Sequence, residues 1–499
     1  MCVPMKTLCS SESVNRQNVD IMRKKGCNDF YKFGFGILPI LAGDKALVDY
    51  NYWNLKTNTK GHLVFDDCDL VDVAKKYGTP LHVVSKNKLV ADCKRFMTAF
   101  KQQYDKVEFF YSYKTNNVRG ILQVLHSQGL GAEVISGFEL WLTLKLKVRP
   151  SKIVFNGPNK KEDELRLAIK KGIHTINVDN LAEIDRIEKI AEELGCEVNV
   201  GLRIMPDVKP PDLSLFVATG SRKTQFGLDL LSGHVIKALK LIKNSRSLRF
   251  RGFNTHIGTN VLDPHSYAKA IEKLLAAARL AKDQFDFETE FVDLGGGFPV
   301  PMTKEYSEEE YLLYMTKGEA SPPDSSLCPP IEEFASTIGK TLKEKANALD
   351  LKKPTLFLEP GRYITSSAQI LLLTVGVLKE VKNVGIWAIT DGGAANIATP
   401  LTSEYHEVLV ANKGDQSPSM RYNLVGRICY TGDTIYKNKL LPRLEEGDVI
   451  CIMDAGAYFT TCSSNFSYGR PAVAMLDRGK SWIIRGAETY QDLILKDKV

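Results

Sequence analysis

Long apolar runs are missing from this chain. No stretch approaches the roughly 20 residues that a membrane-spanning helix needs. The apolar segment Phe33 to Ala42 is too short, and too far along the chain, to act as a secretion signal. Regular cysteine spacing is missing too. The ten cysteines fall without a repeat and without a CxxC pair, which excludes a disulfide scaffold or a zinc site. Cys429, Cys451 and Cys462 lie in apolar or motif-like surroundings and read as free thiols in a reducing compartment. Concentrated basic charge is also missing. The net charge of +7 is scattered, which supports solubility rather than a nucleic-acid face. The expectation is a soluble cytoplasmic protein with no membrane, nucleic-acid or metal partner.

What is present is room and rhythm. The 499 residues, 44% apolar and 25% charged, can fill two or three domains. Residues 1–35 read as an extension, and 36–80 as short strands (Ala46–Val48, His62–Phe65) before a helix at Asp69–Tyr77. A strand at Leu81–Ser85 and a helix at Lys86–Gln103 follow. Eight strands then recur at Val107–Tyr113, Ala132–Ile135, Ile153–Phe155, Thr175–Val178, Val198–Ile204, Phe250–His256, Phe291–Leu294 and Leu356–Leu358. Helical segments separate them at Val118–Gln128, Asp163–Lys171, Leu181–Leu194, Leu231–Lys243, Ser266–Asp283 and Ile331–Ala348. Eight strands alternating with helices over about 250 residues predict an α/β fold, a (β/α)8 TIM barrel over 81–364. The acidic Pro/Ser-rich stretch Thr303–Pro330 reads as a surface insertion. After Arg362 strand-like segments follow one another without long helices. They predict an all-β sandwich or Greek-key domain over 365–499, which the strands of 36–80 rejoin.

The strand ends carry the chemistry. The first strand ends in Lys114, and the second holds Glu133. Later ends offer Asn156-Gly157-Pro158-Asn159-Lys160, Asp179, Arg203, His256-Ile257-Gly258-Thr259, Gly295-Gly296-Gly297 and Glu359-Pro360-Gly361-Arg362. In a barrel these ends converge on one mouth. A lysine partly withdrawn from water loses its proton more readily and becomes a nucleophile toward aldehydes. Three successive glycines let backbone N–H groups approach an anion, and Arg362 adds a fork of donors, together a phosphate site. Lysine plus phosphate site points to pyridoxal 5′-phosphate (PLP) held as a Schiff base on Lys114. Glu359 would face its pyridine nitrogen, and His256 would cover its ring.

These motifs have a family likeness. Tyr111–Asn116, Glu133–Leu140, Phe155–Lys160, Ile176–Asn180, His256–Thr259, Val292–Pro299, Glu359–Arg362, Gly426–Asp433 and Asp454–Tyr458 occur in an order that resembles the fold-type III PLP-dependent decarboxylases. These act on ornithine, arginine and diaminopimelate, and the diaminopimelate branch is nearest. The resemblance implies that Lys114, His256 and Cys429 are catalytic, with Cys429 protonating the α-carbon after CO2 leaves. It implies that Gly296, Gly297, Arg362 and Tyr458 hold the phosphate near Thr259, and that Glu133, Arg203 and Glu359 complete the cofactor site. Glu139, Arg362, Tyr430, Asp433 and Phe466 are the candidates for substrate contact. Cys429 would come from a partner subunit, which implies a homodimer with shared sites.

The chain departs from the branch at the substrate end. The branch follows its cysteine with a glutamate for the distal amine; Tyr430 stands here. The branch places an arginine and a tyrosine beyond an Asp-Gly turn for the distal carboxylate. Here no arginine occurs between Asp391-Gly392-Gly393 and His406, and Thr399, Pro400, Leu401 and Thr402 fill the region. Glu133 replaces a usual aspartate. The expected activity is decarboxylation of an amino acid or aminoacyl conjugate other than meso-diaminopimelate: a siderophore, antibiotic or polyamine intermediate, or ornithine or lysine. Diaminopimelate decarboxylation itself, a racemase of the same barrel class and a non-catalytic regulatory homologue are the alternatives. Glu359 opposes the racemase, which carries arginine at the pyridine nitrogen.

Overall fold

The computed structural model describes residues 50–498 apart from 212 and 214–216. The extension expected over 1–35 and the strand expected at Ala46–Val48 lie outside the described residues. Eight parallel strands form the barrel: β1 Val107–Ser112, β2 Gly131–Val134, β3 Ile153–Phe155, β4 Thr175–Val178, β5 Val198–Met205, β6 Leu248–Asn254, β7 Phe291–Asp293 and β8 Thr355–Leu358. Each pairs with the next, and β8 closes on β1 through Leu356 opposite Val107. The strands are short and apolar because both of their faces are covered.

Alternate residues point into the barrel and form two layers. The lower layer joins Phe110, Val154, Phe291 and Phe357 in one apolar cluster, with Phe291 and Phe357 stacked at 4.5 Å. Glycines give these rings space. A Cβ on Gly252 would lie 2.2 Å from the Phe291 carbonyl oxygen, and one on Gly131 would lie 2.7 Å from the Phe110 ring. Two residues further along the strands, the next layer is polar: Ser112, Glu133, Asn156, Asn177, Asp293 and Glu359, all buried. A dry floor therefore supports a ring of hydrogen-bonding groups below the mouth.

Helices wrap the barrel where apolar spacing of three and four meets a cap. Leu181–Leu194 is typical. Asn180 accepts the Glu183 N–H at 3.1 Å, left-handed Gly195 ends the helix, and Ile184, Ile187, Ile190 and Ala191 face inward. One helix, Gly137–Lys145, was not anticipated. Its apolar residues run almost without interruption, which blurs the helical period, and Ser136 caps it. The helix Lys86–Gln103, which precedes β1, packs between Ile331–Ala348 and Arg119–Ser127 and supplies the eighth wall.

The strand Leu81–Ser85 corrects the expected boundary. Instead of beginning the barrel, it lies in the β domain, antiparallel to Gln369–Val381 and parallel to Ala472–Asp477. The strands Leu55–Thr57, Leu63–Phe65 and Cys68–Asp69 form their own three-stranded sheet. They share an apolar core with the β domain through Trp53, Leu63, Phe65, Ile370 and Leu372, without pairing into its sheet. The region 303–330 is also more than a surface insertion. Its helix Glu308–Lys317 buries Tyr314 against Tyr306 and Tyr436 of the β-domain core. Its short strand Lys304–Glu305 pairs with Glu404–Tyr405, setting Glu305 opposite Glu404. The strand Thr434–Leu441 and the helix Ala394–Ser403 are further β-domain elements not anticipated.

Candidate active site

The mouth is built around Lys114, the second residue after β1. Its ammonium donates to Ser112 Oγ at 2.7 Å and to Glu133 Oε2 at 2.8 Å. The side chain keeps a third of its surface open, whereas Glu133 is wholly enclosed. Burial disfavours the Lys114 charge, but Glu133 and then Glu359 outweigh it, so the amine is held above its ordinary range. The expectation of a lysine that sheds its proton unaided is thus corrected. Two carboxylates face it, a feature that strand periodicity does not reveal.

Asn156 ties the polar layer together, donating to Glu133 Oε1 at 3.1 Å and to Glu359 Oε1 at 2.7 Å, and accepting from Asn177 at 2.8 Å. Burial first, then Asp293 and Glu133, raise Glu359 well above the usual carboxylate range. Asp293, itself pushed up to about 6 chiefly by burial, accepts the Gly295 N–H at 2.9 Å through Oδ1, while its Oδ2 is buried without a partner. A cationic ring nitrogen above Glu359 would stabilise its carboxylate form.

His256 ends the β6 segment. Burial, Lys114 and Arg203 hold its imidazole neutral, and Nδ1 is buried without a partner. Gly295 and Gly297 take left-handed backbone conformations, φ +66° and +88°. A Cβ on Gly296 would lie 2.4 Å from the Glu359 carbonyl oxygen, and one on Gly297 2.2 Å from that of Gly258. Only glycine lines this cradle. Tyr458, also left-handed at φ +68°, donates its N–H to the Thr115 carbonyl at 2.8 Å, and its ring lies 5.3 Å from the Arg362 guanidinium. Arg203, beside Phe226, sits 3.8 Å from Asp179.

Arg362 departs from expectation. Its two terminal nitrogens meet Glu404 at 2.8 and 2.6 Å, and its Nε donates to Thr259 Oγ1 at 3.3 Å. The fork assigned to a phosphate or a substrate is taken by a buried carboxylate from the β domain. Glu139 bonds its own helix entrance, accepting the Ile135 N–H at 2.8 Å; burial, then Glu133, push it up to about 7. Asp433 is not free for substrate either. Its oxygens accept the N–H groups of Ala394 at 2.6 Å and Ile428 at 2.8 Å, which shapes the loop bearing Cys429. Cys429 is exposed, and Tyr430 and Phe466 are half-exposed with ring centroids 6.1 Å apart. The side chains of 398–402 fall outside what the structure describes. Motif reading gave no role to Ser112, Asn156, Asp293, Glu305 or Glu404. Asn156 and Asp293 stand inside the matched motifs, whereas Glu404 has no local signal because its partner lies 42 positions away.

The donor set fits PLP. An amine for the aldehyde, a buried acid for the ring nitrogen, an unpartnered neutral imidazole and a glycine cradle surround one mouth. Arg362 is the one expected group whose donors are already spent.

Known proteins resemble this chain in sequence and fold. A family model described as "Pyridoxal-dependent decarboxylase, pyridoxal binding domain" matches residues 90–366. The diaminopimelate decarboxylase of Methanothermobacter thermautotrophicus is 32% identical over 448 residues, covering 88% of this chain and 96% of that one. The crystal structure of diaminopimelate decarboxylase from M. jannaschii superposes with a TM-score of 0.78 at 30% identity, covering 89% of this chain and 98% of that one. The same enzyme in complex with L-lysine also gives 0.78 at 30% identity, with the same coverage. The chain belongs to the PLP-dependent amino acid decarboxylases of fold type III, in the diaminopimelate decarboxylase branch, and is a carboxy-lyase.

Proposed function

We propose that the substrate is an amino acid, or an aminoacyl conjugate, other than meso-diaminopimelate, with lysine and ornithine as the first candidates. The observation that carries this is the region beyond Asp391, which has no arginine before His406. Tyr430 in place of an acid after Cys429 supports it, because a lost charge clamp removes much of the selectivity for a charged stereocentre.

PLP supplies an electron sink for the bond to the departing carboxylate. The rest is done by the chain. Lys114 offers the amine for the cofactor aldehyde, and Glu133 Oε2, 2.8 Å away, holds it in place. Glu359 would face the ring nitrogen, and neutral His256 would face the ring. Gly296, Gly297 and Tyr458 would hold the phosphate. The apolar floor excludes water from below. Cys429 delivers the proton to the substrate α-carbon from the second copy of a homodimer, which accounts for its exposure on the single chain. Diaminopimelate decarboxylation is the second reading, favoured by the activity for which the relatives are named.

The purified protein should show a visible absorption band. Borohydride reduction and peptide mapping should place the pyridoxyl group on Lys114. A panel of ornithine, lysine, meso-diaminopimelate and acyl or citryl conjugates, read by CO2 release, decides the substrate. Greatest kcat/KM on meso-diaminopimelate would replace the first reading by the second. D-for-L exchange without CO2 would refute both.

A further inference from the structure

We infer that Glu404 is a built-in carboxylate that occupies the anion-binding fork of Arg362 and restricts the enzyme to substrates without a second carboxylate. The inference rests on the substrate reading above and names the residue responsible.

The geometry is that of a ligand in a guanidinium site. Both oxygens of Glu404 face both terminal nitrogens of Arg362, at 2.8 and 2.6 Å, a parallel two-bond pairing that planar carboxylates make with arginine. Glu404 keeps 5% of its side-chain surface and Arg362 3%. Neither is a surface pair. His406 Nε2 donates to the second side of Glu404 at 3.2 Å, and its Nδ1 donates to the Met453 carbonyl at 3.0 Å. The strand pairing of Glu404 with Glu305 fixes the backbone behind it.

The fork stands beside the mouth. A Cβ on Gly361, the residue before Arg362, would lie 2.1 Å from Thr115 Oγ1, and Thr115 follows Lys114. Tyr458 lies against the guanidinium while its N–H holds the Thr115 carbonyl. Arg362 is therefore a buried cation beside Thr115 and Tyr458, already neutralised from within the chain. Glu305, with its nearest oxygen 4.0 Å from Arg362, does not add a second negative charge at neutral pH, because burial and then Glu404 push it up to about 9. An incoming carboxylate would have to displace Glu404, leaving that acid buried without its partner, which is strongly unfavourable. An amino acid whose distal end is neutral or cationic needs no such exchange.

The test uses the PLP-loaded enzyme, with lysine and meso-diaminopimelate as a matched pair differing by one distal carboxylate. The ratio of their kcat/KM values is measured in wild type, Glu404→Ala and Glu404→Gln. Wild type should prefer lysine. In Glu404→Ala the ratio should move toward meso-diaminopimelate by about 10- to 100-fold, the worth of charge-assisted hydrogen bonds. Glu404→Gln keeps the shape without the charge. It should move the ratio in the same direction and reads it if the alanine variant does not fold. As a readout apart from activity, formate should raise the melting temperature of Glu404→Ala and not that of wild type. Wild type preferring meso-diaminopimelate would overturn the substrate reading itself. Wild type preferring lysine, with the ratio unmoved in both variants and no formate effect, would overturn only the role of Glu404.

Discussion

Lys160 separates chemistry from scaffolding at the strand ends. It lies after β3 in a motif shared with the decarboxylase family, yet the structure turns it away from the mouth. Its ammonium is 1% exposed and donates to the Gly157 carbonyl at 2.9 Å, the Asn177 carbonyl at 2.8 Å and both oxygens of Glu183 at 3.0 Å. Glu183 is fully buried and also accepts the Asp179 N–H at 2.9 Å. Replacing Lys160 by Met leaves a carboxylate buried with one amide for company. Breaking such a pair from one side costs about 3–5 kcal/mol. Adding Glu183→Gln removes the stranded charge while keeping an acceptor for Asp179. The double variant should therefore recover about 2 kcal/mol or more relative to Lys160→Met. Hydrogen exchange of the β4 amides measures this locally, without requiring the whole chain to unfold in one step. The folded fraction of Lys160→Met should keep its kcat. Two outcomes refute the reasoning: a loss below about 1 kcal/mol with no coupling to Glu183, or a normally stable variant that no longer releases CO2.

Three further outcomes are expected. Lys114→Ala should fold, lose covalent pyridoxyl labelling and release no CO2, as followed by absorption and mass spectrometry. Glu359→Gln should still bind PLP but lower kcat by about 100-fold or more, the scale seen when one preorganised electrostatic group is lost; an unchanged kcat would remove Glu359 from the ring nitrogen. Glu139 sets a pH effect of definite sign. Its folded value of about 7 lies above the ordinary 4.5, so between these values the native state binds more protons than the unfolded chain and stability falls as pH rises. Glu139→Gln should flatten that part of the stability profile in urea titrations from pH 4.5 to 7.5. A steeper profile would show that the carboxylate is stabilised.

Much of the barrel was legible because its strands are short apolar runs that end in polar residues, and the spacing of Lys114, Glu133 and Glu359 along them placed the three at one end. The triple glycine was readable for the same reason. What escaped depended on who meets whom across the molecule. Lys114 looked like an amine that burial alone would deprotonate, and two carboxylates from other strands reverse that. Arg362 looked like an open fork, but its partner comes from a β-domain strand held in place by a segment that composition marked as surface. Asp433 looked available, yet its oxygens are spent on backbone amides of its own loop. Leu81–Ser85 fell inside the expected barrel bounds because apolar residues alone cannot say which sheet a strand will join.

That strand has a consequence for biosynthesis. Leu81–Ser85 leaves the ribosome long before Gln369–Val381 and Ala472–Asp477, the two neighbours that flank it in the finished sheet. The barrel can close while this segment still waits, tethered directly to the helix that forms the eighth wall. Until then its hydrogen-bonding edges have no partner strand and are open to pairing with another chain. Cutting the gene between the two domains would leave this strand without its neighbours and the β domain without one of its inner strands.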